Sequence, residues 1–132
     1  MRSLPVLSVS FLVVFSVAAC RRAPAGPAGK PVAAVVYRCE AGKTITAAFY
    51  GGETQSPRAP GGPATPGGSV RLALSDGRSM ILPQTVSADG ARYADAKESF
   101  VFWSKGDGAM VLENGKEKGF NGCVVVNPPA AK

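Results

Sequence analysis

Two short stretches of this chain carry groups that could act on another molecule. Ser87-Ala88-Asp89-Gly90-Ala91-Arg92-Tyr93 contains a carboxylate beside a glycine, and Ser104-Lys105-Gly106-Asp107-Gly108 contains an ammonium beside a glycine. They flank one short aromatic strand, so both charges could be presented together. Neither stretch pairs a nucleophile with a base. The chain has no histidine, which removes the usual general base, triad orienter and commonest metal ligand. No Gly-x-x-x-x-Gly-Lys-Ser/Thr or Gly-x-Gly-x-x-Gly phosphate loop is present. Ser75-Asp76-Gly77 and Gly106-Asp107-Gly108 resemble fragments of a calcium loop, but the spaced acids and closing glutamate are missing. Hairpin turns explain both. Each candidate aspartate for a carboxylate pair sits in a turn, where its ordinary partner is nearby backbone. The expectation is a binding surface, with no enzyme activity, no cofactor and no metal.

The ends of the chain say where it works. Arg2 is followed by a nearly unbroken apolar run, Val6 to Val17, and then by Val17-Ala18-Ala19-Cys20. This is the pattern of an export signal, too short for a comfortable membrane span of about 20 residues. Cysteine directly after Val-Ala-Ala is the pattern of a lipobox, so residues 1–19 are read as a lipoprotein signal peptide and Cys20 as the lipidated residue. Residues 20–34, rich in Ala, Pro and Gly, read as a flexible tether. Cys39 and Cys123 remain, and in an oxidising compartment an even remainder argues for one disulfide. It would close 84 positions (123 minus 39), worth roughly 4–5 kcal/mol by loop entropy. Residues 1–34 hold four basic residues, Arg2, Arg21, Arg22 and Lys30, and no acid, whereas the rest has 11 basic against 9 acidic. The basic balance thus belongs mostly to leader and tether, where Arg21 and Arg22 suit anionic headgroups. Nucleic acid is not an expected partner.

Between these ends, strand patterns dominate. Val35 to Glu40 is a first run, turned by Ala41-Gly42-Lys43. In Thr44 to Tyr50, Ile45, Ala47 and Phe49 share one face. Residues 51–68 hold too many prolines and glycines for a ladder and read as a long loop. Val70, Leu72 and Leu74 alternate with Arg71 and Ala73 before the Asp76-Gly77 turn. Ser79 to Leu82 returns and is expected to stop at Pro83. Phe100 to Trp103 pairs with Ala109 to Glu113, and Asn114-Gly115 turns the chain into a run from Lys116 to Cys123. The spacing predicts an all-β domain over 35–123, an antiparallel barrel or sandwich, and a Cys39–Cys123 bridge that joins the first and last strands favours closure into a small barrel. Residues 124–132 form a C-terminal tail.

Tyr37-Arg38-Cys39-Glu40, Leu82-Pro83, Asp89-Gly90-Ala91-Arg92-Tyr93, Phe102-Trp103-Ser104-Lys105-Gly106 and Asn121-Gly122-Cys123, in this order, resemble the MliC family of membrane-bound inhibitors of C-type lysozyme. The resemblance implies an eight-stranded barrel with a disulfide, held on the bacterial envelope by a lipid. In that family one loop carries Ser-Gly-x-x-Tyr and another a lysine before glycine. Both enter the lysozyme cleft, where the serine and lysine approach its catalytic carboxylates. By this resemblance Lys105 and Gly106 supply the lysine loop, and Gly90 and Tyr93 match the other. An ammonium at that point would pair with the anion, favour ionisation of the acid and block substrate.

Asp89 departs from the pattern, because it stands where the family has serine. A carboxylate set against another is repelled and would weaken inhibition unless it is relieved. Lys105 or Arg92 could neutralise it, it could be protonated at the interface, or Ser87 could take its place after a loop shift. The expected partner is C-type lysozyme, with the membrane engaged through Cys20. The expected location is the outer membrane, facing the periplasm. The alternative is a non-inhibitory envelope lipoprotein of the same barrel fold that binds cell-wall glycan or another envelope protein. Oligomeric state is not legible in the sequence.

Overall fold

The computed structural model describes residues 26–27, 29–53, 60–61, 64 and 66–126. The export signal, Cys20, much of the 51–68 loop and the end of the tail lie outside the described residues. Among the described residues the strands are β1 (Ala33–Arg38), β2 (Thr44–Tyr50), β3 (Ser69–Leu74), β4 (Ser79–Thr85), β5 (Ala91–Ala94), β6 (Phe100–Lys105), β7 (Gly108–Glu113), β8 (Lys116–Glu117) and β9 (Cys123–Val125), with a 3-10 turn at Glu40–Gly42. Each of β1 to β6 pairs antiparallel with the next, β6 pairs with β7, β7 with β9, and β9 returns to β1. Eight strands therefore close a barrel. The two-residue β8 lies along the other end of β7, where Leu112 faces Glu117 and Glu113 faces Lys116.

Period-two alternation fills the interior. Ile45 and Ala47 from β2, Val70, Leu72 and Leu74 from β3, Leu82 from β4, and Phe102 and Val111 from β6 and β7 are all buried. Tyr37, Phe49, Tyr93 and Phe102 form an aromatic cluster, with ring centroids 5.7–6.3 Å apart, within the range of favourable edge and offset packing. Cys39 and Cys123 are bonded and buried beside Phe120. The bridge ties the residue after β1 to the first residue of β9, where the first and last strands meet.

The turns follow their sequences. Asn114 and Gly115 both have positive φ, 51° and 76°, which gives the primed turn that matches strand twist. The Asp76-Gly77 hairpin joins β3 to β4 as expected. The barrel reaches beyond 35–123 at both ends, because Ala33 and Ala34 already pair in β1 and Val124 and Val125 still pair in β9, and three further details differ from the expectation. First, Pro83 does not stop β4, which runs to Thr85 with Pro83 opposite Ser69. The Gln84 amide donates to Gly68 on the β3 side, so by alternation the side lacking an N–H at Pro83 faces β5. The β4–β5 ladder starts only at Gln84, so the proline costs no ladder bond there. Second, Ala91–Ala94 is a strand rather than part of a polar loop. Third, β6 and β7 run further than expected, which shortens their connection to Gly106 and Asp107, and the run from Lys116 to Cys123 is broken between β8 and β9.

Candidate functional site

The β4–β5 loop and the β6–β7 turn meet at one end of the barrel. Ala91 pairs with Ser104 and Lys105 pairs with Gly108, so the residues just before β5 lie against the end of β6. Phe102 points into the core and is fully buried. Alternation therefore turns Trp103 and Lys105 to the barrel surface in different measure, and Lys105 is exposed.

Gly90 makes this approach possible. Its φ is +67°, and a Cβ at that position would stand 2.4 Å from the Ser104 carbonyl and 3.2 Å from both Lys105 Cβ and Trp103 Nε1. A side chain there must displace backbone. The loop is then pinned by its own groups. The Trp103 indole N–H donates to the Asp89 carbonyl at 2.8 Å, and the Ser87 hydroxyl donates to the same carbonyl at 2.6 Å. The Asp89 amide donates back to Ser87 Oγ at 3.3 Å.

So held, the Asp89 carboxylate forms an ion pair with the Lys105 ammonium. Both side chains remain largely in solvent, 69% exposed for Lys105 and 59% for Asp89. The hydrogen bond from Lys105, and then its charge, holds the Asp89 carboxyl below its ordinary value of 3.8. Arg92 is committed elsewhere, to Thr85 Oγ1 at 3.0 Å and Glu98 Oε1 at 3.1 Å. Of the two cations that could neutralise Asp89, the structure thus uses Lys105. Ser87 faces its own loop and does not occupy the position of Asp89.

The remaining expected residues are placed differently from one another. Gly106 forms the tip of the β6–β7 turn, with φ +54° and open space around it. Tyr93 is only 5% exposed; its ring packs on Phe49 and Phe102, and burial pushes its phenol up. It anchors the strand that carries the loop and does not sit at the surface with Asp89 and Lys105. Among the described residues no group of three or more His, Cys, Asp or Glu could hold a metal ion.

One feature of the site had no counterpart in the sequence reading. An open groove of about 520 Å³ runs from Lys105 across the outer face of β6, β7 and β9, lined by Trp103, Met110, Gly108 and Val124 among others. The signal for it was present in the alternation of Phe102-Trp103-Ser104-Lys105. It needed the two-residue turn, which sets Gly108 opposite Lys105, to become visible.

This geometry can be set beside known proteins. The family model described as membrane-bound lysozyme-inhibitor of c-type lysozyme, MliC, matches residues 37–119. Three relatives carry the name membrane-bound lysozyme inhibitor of C-type lysozyme. That of Cupriavidus necator is 30% identical over 76 residues, 58% of this chain and 49% of the relative. That of Yersinia enterocolitica is 40% identical over 60 residues, 46% of this chain and 48% of the relative. That of Escherichia coli is 43% identical over 53 residues, 40% of this chain and 46% of the relative. The chain spans about half the length of these curated relatives. No solved structure matches. The fold is a closed, disulfide-bonded barrel, and the family match over residues 37–119 places the chain in the MliC family.

Proposed function

We propose that this barrel inhibits C-type lysozyme by inserting the Asp89 loop and the Lys105 turn into the enzyme's active-site cleft. The observation that carries the reading is the meeting of Lys105 with Asp89 on one exposed rim, where Lys105 and Gly90 stand at positions resembling the family's two loops and Asp89 replaces the serine. The relatives' names supply the class of partner. Lysozyme chemistry needs one carboxylic acid and one carboxylate around the scissile bond. An ammonium delivered between them satisfies the anion, favours loss of the acid's proton and fills the space the sugar needs. The barrel therefore acts by occupying a site and not by catalysis of its own.

Asp89 takes part in two states. In the free protein its carboxylate holds Lys105 in place. In the complex Lys105 turns to the enzyme's carboxylates, and Asp89 keeps part of its pairing while standing near like charge. The exchange makes inhibition weaker than a neutral residue at this position would allow. Lys105, Asp89, Gly90 and Gly106 are assigned to the contact, with Ser87 and Tyr93 supporting the loop. The rest of the chain fits an envelope protector of peptidoglycan. Residues 1–19 direct export, Cys20 carries the lipid that holds the chain on the outer membrane, and the tether after it leads to the barrel, which opens at Ala33 in β1 and ends at Val125 in β9.

The test is competition. With the full chain and a C-type lysozyme, inhibition should be competitive with cell-wall substrate, and a chitooligosaccharide that fills the cleft should displace the barrel. Simultaneous binding of saccharide and barrel would overturn the reading.

A further inference from the structure

The inserted loops are too small to form the whole contact. Ser87 to Gly90 and Lys105 to Asp107 are four and three residues, whereas a stable protein interface takes about 20–30 residues a side. Surface next to the loops must contribute, and the groove is the surface that shares Lys105 with them. We infer that this groove receives an apolar side chain from the rim of the lysozyme cleft, so that Lys105 is delivered beside a hydrophobic anchor. The inference rests on the cleft reading above and extends it to a second contact.

The construction of the groove favours this occupant. Lys105, Gly108 and Val124 are cross-strand partners in one row over β6, β7 and β9, and Trp103 and Met110 are partners in the adjoining row. Gly108 leaves the first row without a side chain between an ammonium and a valine, and that gap is the groove. Val124 is 55% and Met110 39% exposed, an apolar pair left open beside a charged tip. Trp and Met are among the side chains enriched at protein interfaces. A glycan would ask for several convergent polar groups, whereas Lys105 and Glu117 are the two charged side chains on this lining. The indole N–H of Trp103 is already given to the Asp89 carbonyl, so the one aromatic donor here is committed. An apolar protein side chain needs no such donor.

Gly108 offers a clean test. A Cβ added there meets only the carbonyl oxygens of Cys123 and Lys105, both at 3.6 Å, so a β-branched residue can stand in the strand and fill the gap. Inhibition and equilibrium binding should be measured for the full chain and its Gly108→Val, Val124→Ser and Lys105→Ala variants, with thermal unfolding followed for each. Gly108→Val should weaken lysozyme binding about thirtyfold and Val124→Ser about fivefold, at unchanged unfolding temperature. Wild-type binding by Gly108→Val overturns the groove contact. Should Gly108→Val fold poorly, wild-type binding by Val124→Ser overturns it instead. Binding of chitooligosaccharide to the free chain, lost in Gly108→Val while lysozyme binding persists, would likewise overturn it in favour of a glycan site. Full inhibition by Lys105→Ala would remove the cleft reading itself, whatever Gly108→Val does.

Discussion

The barrel holds an ion cluster at each end, and the two are built differently. At one end Arg78 lies 2.8 Å from both Asp76 and Glu113. It also accepts the Phe100 ring below its guanidinium, 5.6 Å to the centroid. Three elements, the β3–β4 turn, the end of β7 and the start of β6, are tied by one planar group that can make several bonds at once. At the other end, among the described residues, Lys105 meets Asp89 alone. A lysine is a compact charge on a flexible stem, and its single exposed partner can be exchanged for another at little cost. The Arg78 cluster spends its charge on the fold. The Lys105 pair keeps its charge available.

That contrast can be broken or sharpened in four ways, taken from the largest effect down. Gly90→Val should collapse the rim, because the new side chain has to push against the Ser104 carbonyl and adopt a φ that β-branched residues avoid. Inhibition should fall more than about a hundredfold with a loss of roughly 1–3 kcal/mol of stability, read by enzyme assay and denaturant unfolding. Asp89→Ser should do the reverse at the same loop. With no carboxylate to hold Lys105 or to face the enzyme's own, inhibition should tighten about tenfold, and unfolding should not move. Arg78→Ala should destabilise the barrel by about 1 kcal/mol, a figure kept low because its side chain is 42% exposed. Its inhibition should equal that of wild type.

The smallest effect is that of pH. Asp89 and Asp76 are both held below the ordinary carboxylate value of 3.8, by Lys105 and Arg78 respectively. A lowered carboxylate contributes stability that is fully present above the ordinary value and is lost as pH falls through the lowered one. The Asp89 carboxyl of the free chain, followed by its own resonance, should therefore stay ionised from about pH 8 to about pH 5 and take up its proton only below about pH 4. Titration of Asp89 near neutrality would mean that it is not ionised beside Lys105.

Much of this arrangement was legible in the sequence, and what was not has a physical reason. Ile45, Ala47 and Phe49, or Val70, Leu72 and Leu74, show their inward face by alternation alone, since a half-buried strand must place apolar groups at every second position. Asp76-Gly77 and Asn114-Gly115 mark their turns because few other residues tolerate the backbone there. Pro83 misled because a proline ends a strand only when its missing donor faces a neighbour that needs it. Ala91–Ala94 was hidden because it is short and directly follows the polar loop. The partner of Lys105 is a non-local fact. Asp89 and Arg92 are near each other in sequence, and only the close approach of Gly90 to β6 decides that Asp89 receives the lysine while Arg92 turns to Glu98. The groove was hidden for a similar reason, because a glycine opposite a lysine becomes a gap only once the register is known.

The account stands on Lys105 as the group delivered to the cleft. The most direct measurement compares lysozyme inhibition by Lys105→Ala with that by Arg78→Ala, unfolding temperature being recorded for both. Lys105→Ala should lose more than about a hundredfold in inhibition with its unfolding unchanged, while Arg78→Ala unfolds earlier and inhibits normally. Equal inhibition by Lys105→Ala and wild type would contradict the account.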